Sequence, residues 1–201
     1  MLNTCNLDQS IADLRRDFLS GSGISAQSGI PFAILRYSPN EEFTARRKLR
    51  LLGHEMEEAE KRVAFISIAE LTWKAVEETD GLDYLFKTEQ IAGGVMSAQR
   101  DIGVRLRPGK PFNLAEQIRD HISDRTTTPD IVFLVRLGGL APHIYPCSSL
   151  LHELHQIGYN LPTILCYPGS STIGTDLSFY DLSSGNGLGT YNYRVKIYGT
   201  N

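Results

Sequence analysis

The sequence predicts one three-layer α/β domain: a mostly parallel sheet flanked by helices, with a C-terminal antiparallel β-hairpin. Short apolar runs at residues 31–37, 63–66, 131–137 and 161–167 are apolar on both parities, the pattern of strands covered on both faces. Segments with helical spacing separate these runs, and parallel neighbours require such crossovers. The tail differs. Residues 177–181 lead into a Gly-rich loop at 185–189, after which Tyr191, Tyr193, Val195 and Ile197 alternate with Asn192, Arg194, Lys196 and Tyr198. Two-residue alternation beside a glycine turn predicts the hairpin.

The elements follow in order. Leu7, Ile11, Leu14 and Phe18 lie at helical spacing and predict a helix over residues 7–19. Gly, Ser, Ala and Gln dominate residues 20–29 and predict a flexible loop. After the first strand, Ser38-Pro39-Asn40-Glu41 has the form of a capping box with proline at the first helical position. The helix it opens is expected to reach about Arg62, burying Ala45, Leu49, Leu52, Met56 and Ala59. Glu42–Arg46, Glu57–Lys61 and Glu58–Arg62 are i,i+4 pairs on it, each worth about 0.2–0.5 kcal/mol. A second capping box, Ser67-Ile68-Ala69-Glu70, follows the second strand and opens a helix carrying Leu71, Ala75 and Val76. Residues 80–104 read as helical, interrupted by Gly93-Gly94, and residues 105–112 as a loop containing Pro108-Gly109. Asn113 caps a helix in which Leu114, Ile118 and Ile122 share a face, and Gly158 stops a short helix over residues 148–157. The chain is read as one domain, 1–201: an N-terminal helix and loop (1–29), an alternating β/α core (30–168) and the hairpin (175–199).

Composition narrows the function classes. A chain of 201 residues with 41% hydrophobic residues can bury roughly 70% of its unfolded surface, which excludes disordered, collagen-like and disulfide-scaffold readings. Twenty Lys+Arg against 23 Asp+Glu give a net charge of -3, so no global field draws the molecule to nucleic acid or anionic membrane. Direct nucleic-acid binding and membrane association are not expected. Cys5, Cys147 and Cys166 form no CxxC pair, and no leader-like or membrane-length apolar segment is present. A reduced, cytoplasmic protein is the expectation.

The chemistry sought is mostly missing. A mononucleotide loop would end in GK[ST], but the first strand–helix junction is Tyr37-Ser38-Pro39-Asn40. Gly109-Lys110 is followed by Pro111, and Gly21, Gly23 and Gly29 precede the first strand, so none of them builds a phosphate loop. Arg136-Leu137-Gly138-Gly139 stands where an ATPase needs a carboxylate. His152 and His155 are three apart, not in an HExxH pattern, and read as flanks of a half-buried helix. Cys147 stands at a helix start and Cys166 within a strand, and both read as inert. No catalytic residue, metal or cofactor is assigned, and Trp73 reads as core packing, with an interface anchor as the alternative.

Ligands of open α/β sheets favour the crevice beyond the carboxyl ends of the strands. A candidate anion or ligand crevice is therefore Arg36, Ser38, Arg136, Gly138, Gly139 and Ser170. Arg36 and Arg136 either point into that crevice or are paired structurally. Arg46, Arg47 and Arg50 on the second helix, with Tyr191, Tyr193 and Arg194 of the hairpin, are the candidate partner contacts.

Several strings resemble the BrxB family of bacteriophage-exclusion (BREX) systems in their order and spacing. These are Pro31-Phe32-Ala33-Ile34-Leu35-Arg36-Tyr37-Ser38-Pro39, Ile131-Val132-Phe133-Leu134, Ser148-Ser149-Leu150-Leu151-His152, Tyr167-Pro168-Gly169, Leu177-Ser178-Phe179 and Tyr191-Asn192-Tyr193-Arg194. The resemblance implies a scaffold without enzymatic activity inside a multi-protein antiviral complex conferring phage resistance. It implies as partners a PglZ-type, alkaline-phosphatase-like protein and other BREX components; a homodimer is compatible with the sequence. The alternative from the residues themselves is a degenerate nucleotide- or phosphate-ligand-binding regulatory domain using Arg36 and Arg136.

Overall fold

The computed structural model describes residues 6–20, 29–78, 81–91, 93–141, 144–171, 177–179 and 195–199. Its helices are α1 (Leu7–Leu19), α2 (Glu42–Glu58), α3 (Ile68–Glu77), α4 (Gly81–Glu89), α5 (Gly94–Arg105), α6 (Leu114–Ser123) and α7 (Cys147–Gln156). Its strands are β1 (Phe32–Tyr37), β2 (Val63–Ser67), β3 (Ile131–Val135), β4 (Thr163–Ser171), β5 (Leu177–Phe179) and β6 (Lys196–Tyr198). The sheet runs β2-β3-β4-β1-β6, and these five strands are all parallel.

Alternate residues of each strand feed different cores. Phe32, Ile34, Ala64, Ile66, Val132, Leu134 and Leu165 face a cluster completed by α3, α6 and α7. Ala33, Leu35, Tyr37, Val63, Phe133, Ile164 and Cys166 face a cluster completed by α1 and α2. This two-sided covering is why the strands read as unbroken apolar runs.

The predicted C-terminal antiparallel hairpin is not formed. β5 pairs antiparallel with the end of β4, Gly169 opposite Phe179, whereas β6 runs parallel to β1, Ala33 opposite Lys196. Alternation fixes which face a side chain takes, not which strand lies beside it. Side chains from elsewhere hold β6 in place. Arg36 donates from Nε and Nη2 to the Gly199 carbonyl, the former at 2.8 Å. Lys196 and Tyr198 both donate to Asp17 of α1, the tyrosine at 3.0 Å. The loop at 185–189, the rest of the predicted strand at 191–194 and most of the 20–29 loop lie outside the described residues.

Helix ends show which local signals carry weight. Asn6, Ser67 and Asn113 cap α1, α3 and α6 by accepting from the Gln9, Glu70 and Ala115 amides at 3.2, 3.3 and 3.1 Å. Ser38 makes no side-chain cap bond; its carbonyl accepts from the Glu41 amide at 2.8 Å, and Pro39–Glu41 forms a 3₁₀ turn before α2. α2 also stops short of Arg62. Glu60 adopts φ 60°, its amide reaches the Glu57 carbonyl, and the Lys61 amide reaches the Met56 carbonyl at 2.9 Å. This is a Schellman ending on a non-glycine residue, and it places Lys61 and Arg62 beyond the helix, away from their expected i,i+4 partners. The 80–104 segment is two helices parted at Gly93, φ 72°. Val76, Leu85 and Ala98 hold α4 and α5 to α3 through a small separate core. Trp73 is not a core residue: it is 49% exposed, and its Nε1 donates to Glu77 at 2.8 Å. It falls on the outer face of α3, opposite the buried Thr72, Ala75 and Val76.

Released from the helix, Arg62 clamps the start of β3. Its Nη2 and Nε donate to the two Asp130 carboxylate oxygens at 2.7 and 3.0 Å, and its amide donates to Oδ2 at 2.8 Å. The hydrogen bonds from Arg62 hold the Asp130 carboxyl down at about 2, against an ordinary value of 3.8. A depressed carboxyl stabilises the fold above its unfolded value and loses that contribution as pH falls through its folded one. Asp130→Asn is expected to unfold at lower urea than the parent near neutral pH, with the gap narrowing as pH falls from about 4 towards 2.

Candidate functional site

Beyond the carboxyl ends of β2 and β3 the sheet surface is incompletely covered, leaving a cavity of about 300 Å³. Its floor is Leu49, Phe65 and Val135, and its walls carry Arg46, Arg50, Ser67, Glu70 and Arg136. The parity of the strands explains the floor: Phe65 and Val135 point to the α2 side, where both are half-buried. Phe65 stacks on Phe133, ring centroids 5.0 Å apart and planes 16° from parallel. α2 approaches this ring closely at Gly53, where a Cβ would lie 2.8 Å from Phe65 Cε2. Arg46 and Arg50 stand one turn apart on α2, on either side of the buried Leu49.

Arg136 follows β3 in left-handed backbone, φ 57° and ψ 44°, a conformation that costs a side-chain-bearing residue roughly 1–2 kcal/mol. Its Nη1 donates to Glu70 Oε1 at 2.7 Å and lies 3.4 Å from Ser67 Oγ. Behind it, Leu137–Leu140 forms a 3₁₀ turn that lies against the start of α3. A Cβ on Gly139 would be 2.6 Å from Ala69 Cα. Only glycine permits that approach.

Three guanidinium groups thus face one carboxylate. The Arg46 and Arg50 side chains make no hydrogen bond or ion pair with any described residue. The expected Glu42–Arg46 pair is absent because Glu42 Oε2 accepts from the Tyr37 hydroxyl at 2.7 Å. The Arg136–Glu70 pair is exposed, with Glu70 72% accessible, so it neutralises little at long range.

The sequence candidates divide. Arg136 and Gly139 help build the cavity, and Gly138 sits in the same 3₁₀ turn. Arg36 is 3% exposed and committed to the Gly199 carbonyl, outside the cavity. Ser38 stands in the turn before α2, and Ser170 pairs with Ser178 in the β4–β5 ladder. Arg46 and Arg50, read as partner contacts, line the cavity, while Arg47 projects to solvent on the same helix. Tyr191, Tyr193 and Arg194 lie outside the described residues. Sequence reasoning missed Leu49, Phe65, Glu70 and Val135 as lining residues. Strand parity marks Phe65 and Val135 as one face, and the Ser67–Glu70 cap puts Glu70 at the crevice.

Other reactive groups are buried or scattered. Burial pushes the Cys147 thiol up to about 12 and the Cys166 thiol further. Burial also raises the Glu153 carboxyl, which accepts from the Tyr145 hydroxyl while its Oε2 has no partner among the described residues. His152 and His155 are exposed. Among the described residues no three His, Cys, Asp or Glu side chains gather to hold a metal, and no helix is long and apolar enough to cross a membrane.

A parallel sheet covered by helices on both faces defines the class of three-layer α/β proteins. The family model described as BREX protein BrxB matches residues 64–197, well over half of the chain, from β2 into β6. The chain belongs to the BrxB family. It is therefore a component of a BREX antiviral defence system, and it works with other BREX proteins. No curated protein and no solved structure matches it.

Two outcomes are expected. Gly139→Ala, which at an uncrowded site of ordinary φ would stabilise, is expected to destabilise by about 1–3 kcal/mol through overpacking against Ala69, read from urea midpoints. At neutral pH, Cys147 and Cys166 are expected to resist a thiol reagent in the folded protein and react once it is unfolded, read by mass spectrometry.

Proposed function

We propose that the protein is a non-catalytic binding component of a BREX complex and docks a PglZ-type, alkaline-phosphatase-like protein. The observation that carries this reading is the apolar exposure concentrated in the α4–α5 segment. Phe86, Ile91, Val95 and Met96 are each more than half exposed there, and Leu82 lies one turn before Phe86 on α4. Clustered exposed apolar groups mark interaction surfaces, and aromatic and methionine side chains are enriched at their centres. Trp73 extends the apolar character onto the neighbouring helix α3. Both described cysteines are held as unreactive thiols, which fits docking better than covalent chemistry. The PglZ-type partner is the one the family resemblance implies, and membership in a BREX system supports it.

Co-expression of the chain with the PglZ-type protein of its own system is expected to yield a complex. Phe86→Glu with Val95→Glu is expected to abolish it while shifting unfolding free energy by no more than about 0.5 kcal/mol, as exposed substitutions do. A complex that survives the double substitution overturns the face. Absence of any complex with the parent chain overturns the partner, and turnover abolished by one side-chain replacement overturns the non-catalytic role.

A further inference from the structure

We infer that the cavity at the ends of β2 and β3 binds a nucleoside phosphate. This goes beyond partner docking and uses α2, β2, β3 and α3 rather than the α4–α5 face. Arg46 and Arg50 converge on the cavity without a carboxylate partner among the described residues, and Arg136 joins them from the end of β3. Three guanidiniums against Glu70 leave an excess of two positive charges, which matches a phosphate dianion better than a single carboxylate. Behind the charges lies the apolar floor of Leu49, Phe65 and Val135. Phe65 already stacks on Phe133 with planes 16° apart, so the ring is held rigidly as a surface for a flat group. A volume of about 300 Å³ falls at the small end of ligand pockets and takes one nucleotide, not a dinucleotide. The left-handed backbone of Arg136 is local strain retained where its side chain meets the cavity.

Titration calorimetry of the full chain tests this. The probes are AMP, ADP, ATP and GMP; adenosine and inorganic phosphate serve as the separate halves, and a 5′-phosphorylated single-stranded oligonucleotide as the polymeric source of the same phosphate. At least one nucleotide is expected to bind at one site per chain, at least about tenfold tighter than either half or the oligonucleotide. The Arg46→Gln/Arg50→Gln variant and Arg136→Gly are each expected to weaken it about tenfold or more, and Arg47→Gln to leave it unchanged. Arg136→Gly is expected to melt no lower than the parent, since glycine adopts φ 57° freely, so its loss of binding would not reflect unfolding. The inference is overturned if no nucleotide binds, if binding survives both arginine variants, or if phosphate alone or the oligonucleotide binds as tightly. None of these results bears on the PglZ-type complex, which is read separately by co-expression.

Discussion

The structure depends on a strand with no solvent-facing side chain. All six residues of β1 are buried, Arg36 included. Such a strand must have a layer on each face and a neighbour on each edge, because its backbone groups cannot reach water. α1 and α2 supply one layer, and α3, α6 and α7 the other. β4 and β6 supply the edges. A buried guanidinium left unpaired would cost several kcal/mol. Arg36 avoids this by donating to the Gly199 carbonyl, and the same bonds secure β6 at the sheet edge. Through Asp17, which Lys196 and Tyr198 share, the edge strand is tied back to α1.

The cavity arises from competition among hydrogen-bond partners. Tyr37, at the end of β1, takes Glu42 and so deprives Arg46 of its helical partner. Arg62, past the end of α2, takes Asp130 and aligns the entry to β3 beside β2. With β2 and β3 in register, Ser67 and Val135 end level with each other. Gly139 then lets the turn after β3 rest on the first turn of α3, which brings Arg136 to Glu70. Each step is local, yet together they collect three cations around an apolar floor.

Much of this was legible in the residues themselves. The four apolar runs are β1 to β4, and Ser67, Asn113 and Gly158 mark helix ends where capping chemistry predicts them. The end of α2 was not legible, because its Schellman turn uses Glu60 where glycine would have signalled it. The expected hairpin does not form because alternation suits any half-covered strand, while the neighbour of β6 is set by contacts with Arg36 and Asp17 far away in the chain. Arg46, Arg50 and Arg136 were each visible as candidates, but as members of two surfaces. Their convergence follows from the placement of β2 beside β3 and from the path of α2, neither of which a linear pattern contains.

The position of β1 has a consequence for biosynthesis. Its neighbours, β4 and β6, begin at Thr163 and Lys196, so neither exists when β1 leaves the ribosome. Synthesis must run through β6 before β1 can be closed on both sides, and such long-range closures are slow and exposed to aggregation. The nascent chain meanwhile holds one of its most apolar segments unpaired. The interval between the synthesis of β1 and that of β6 is when this segment is most open to aggregation.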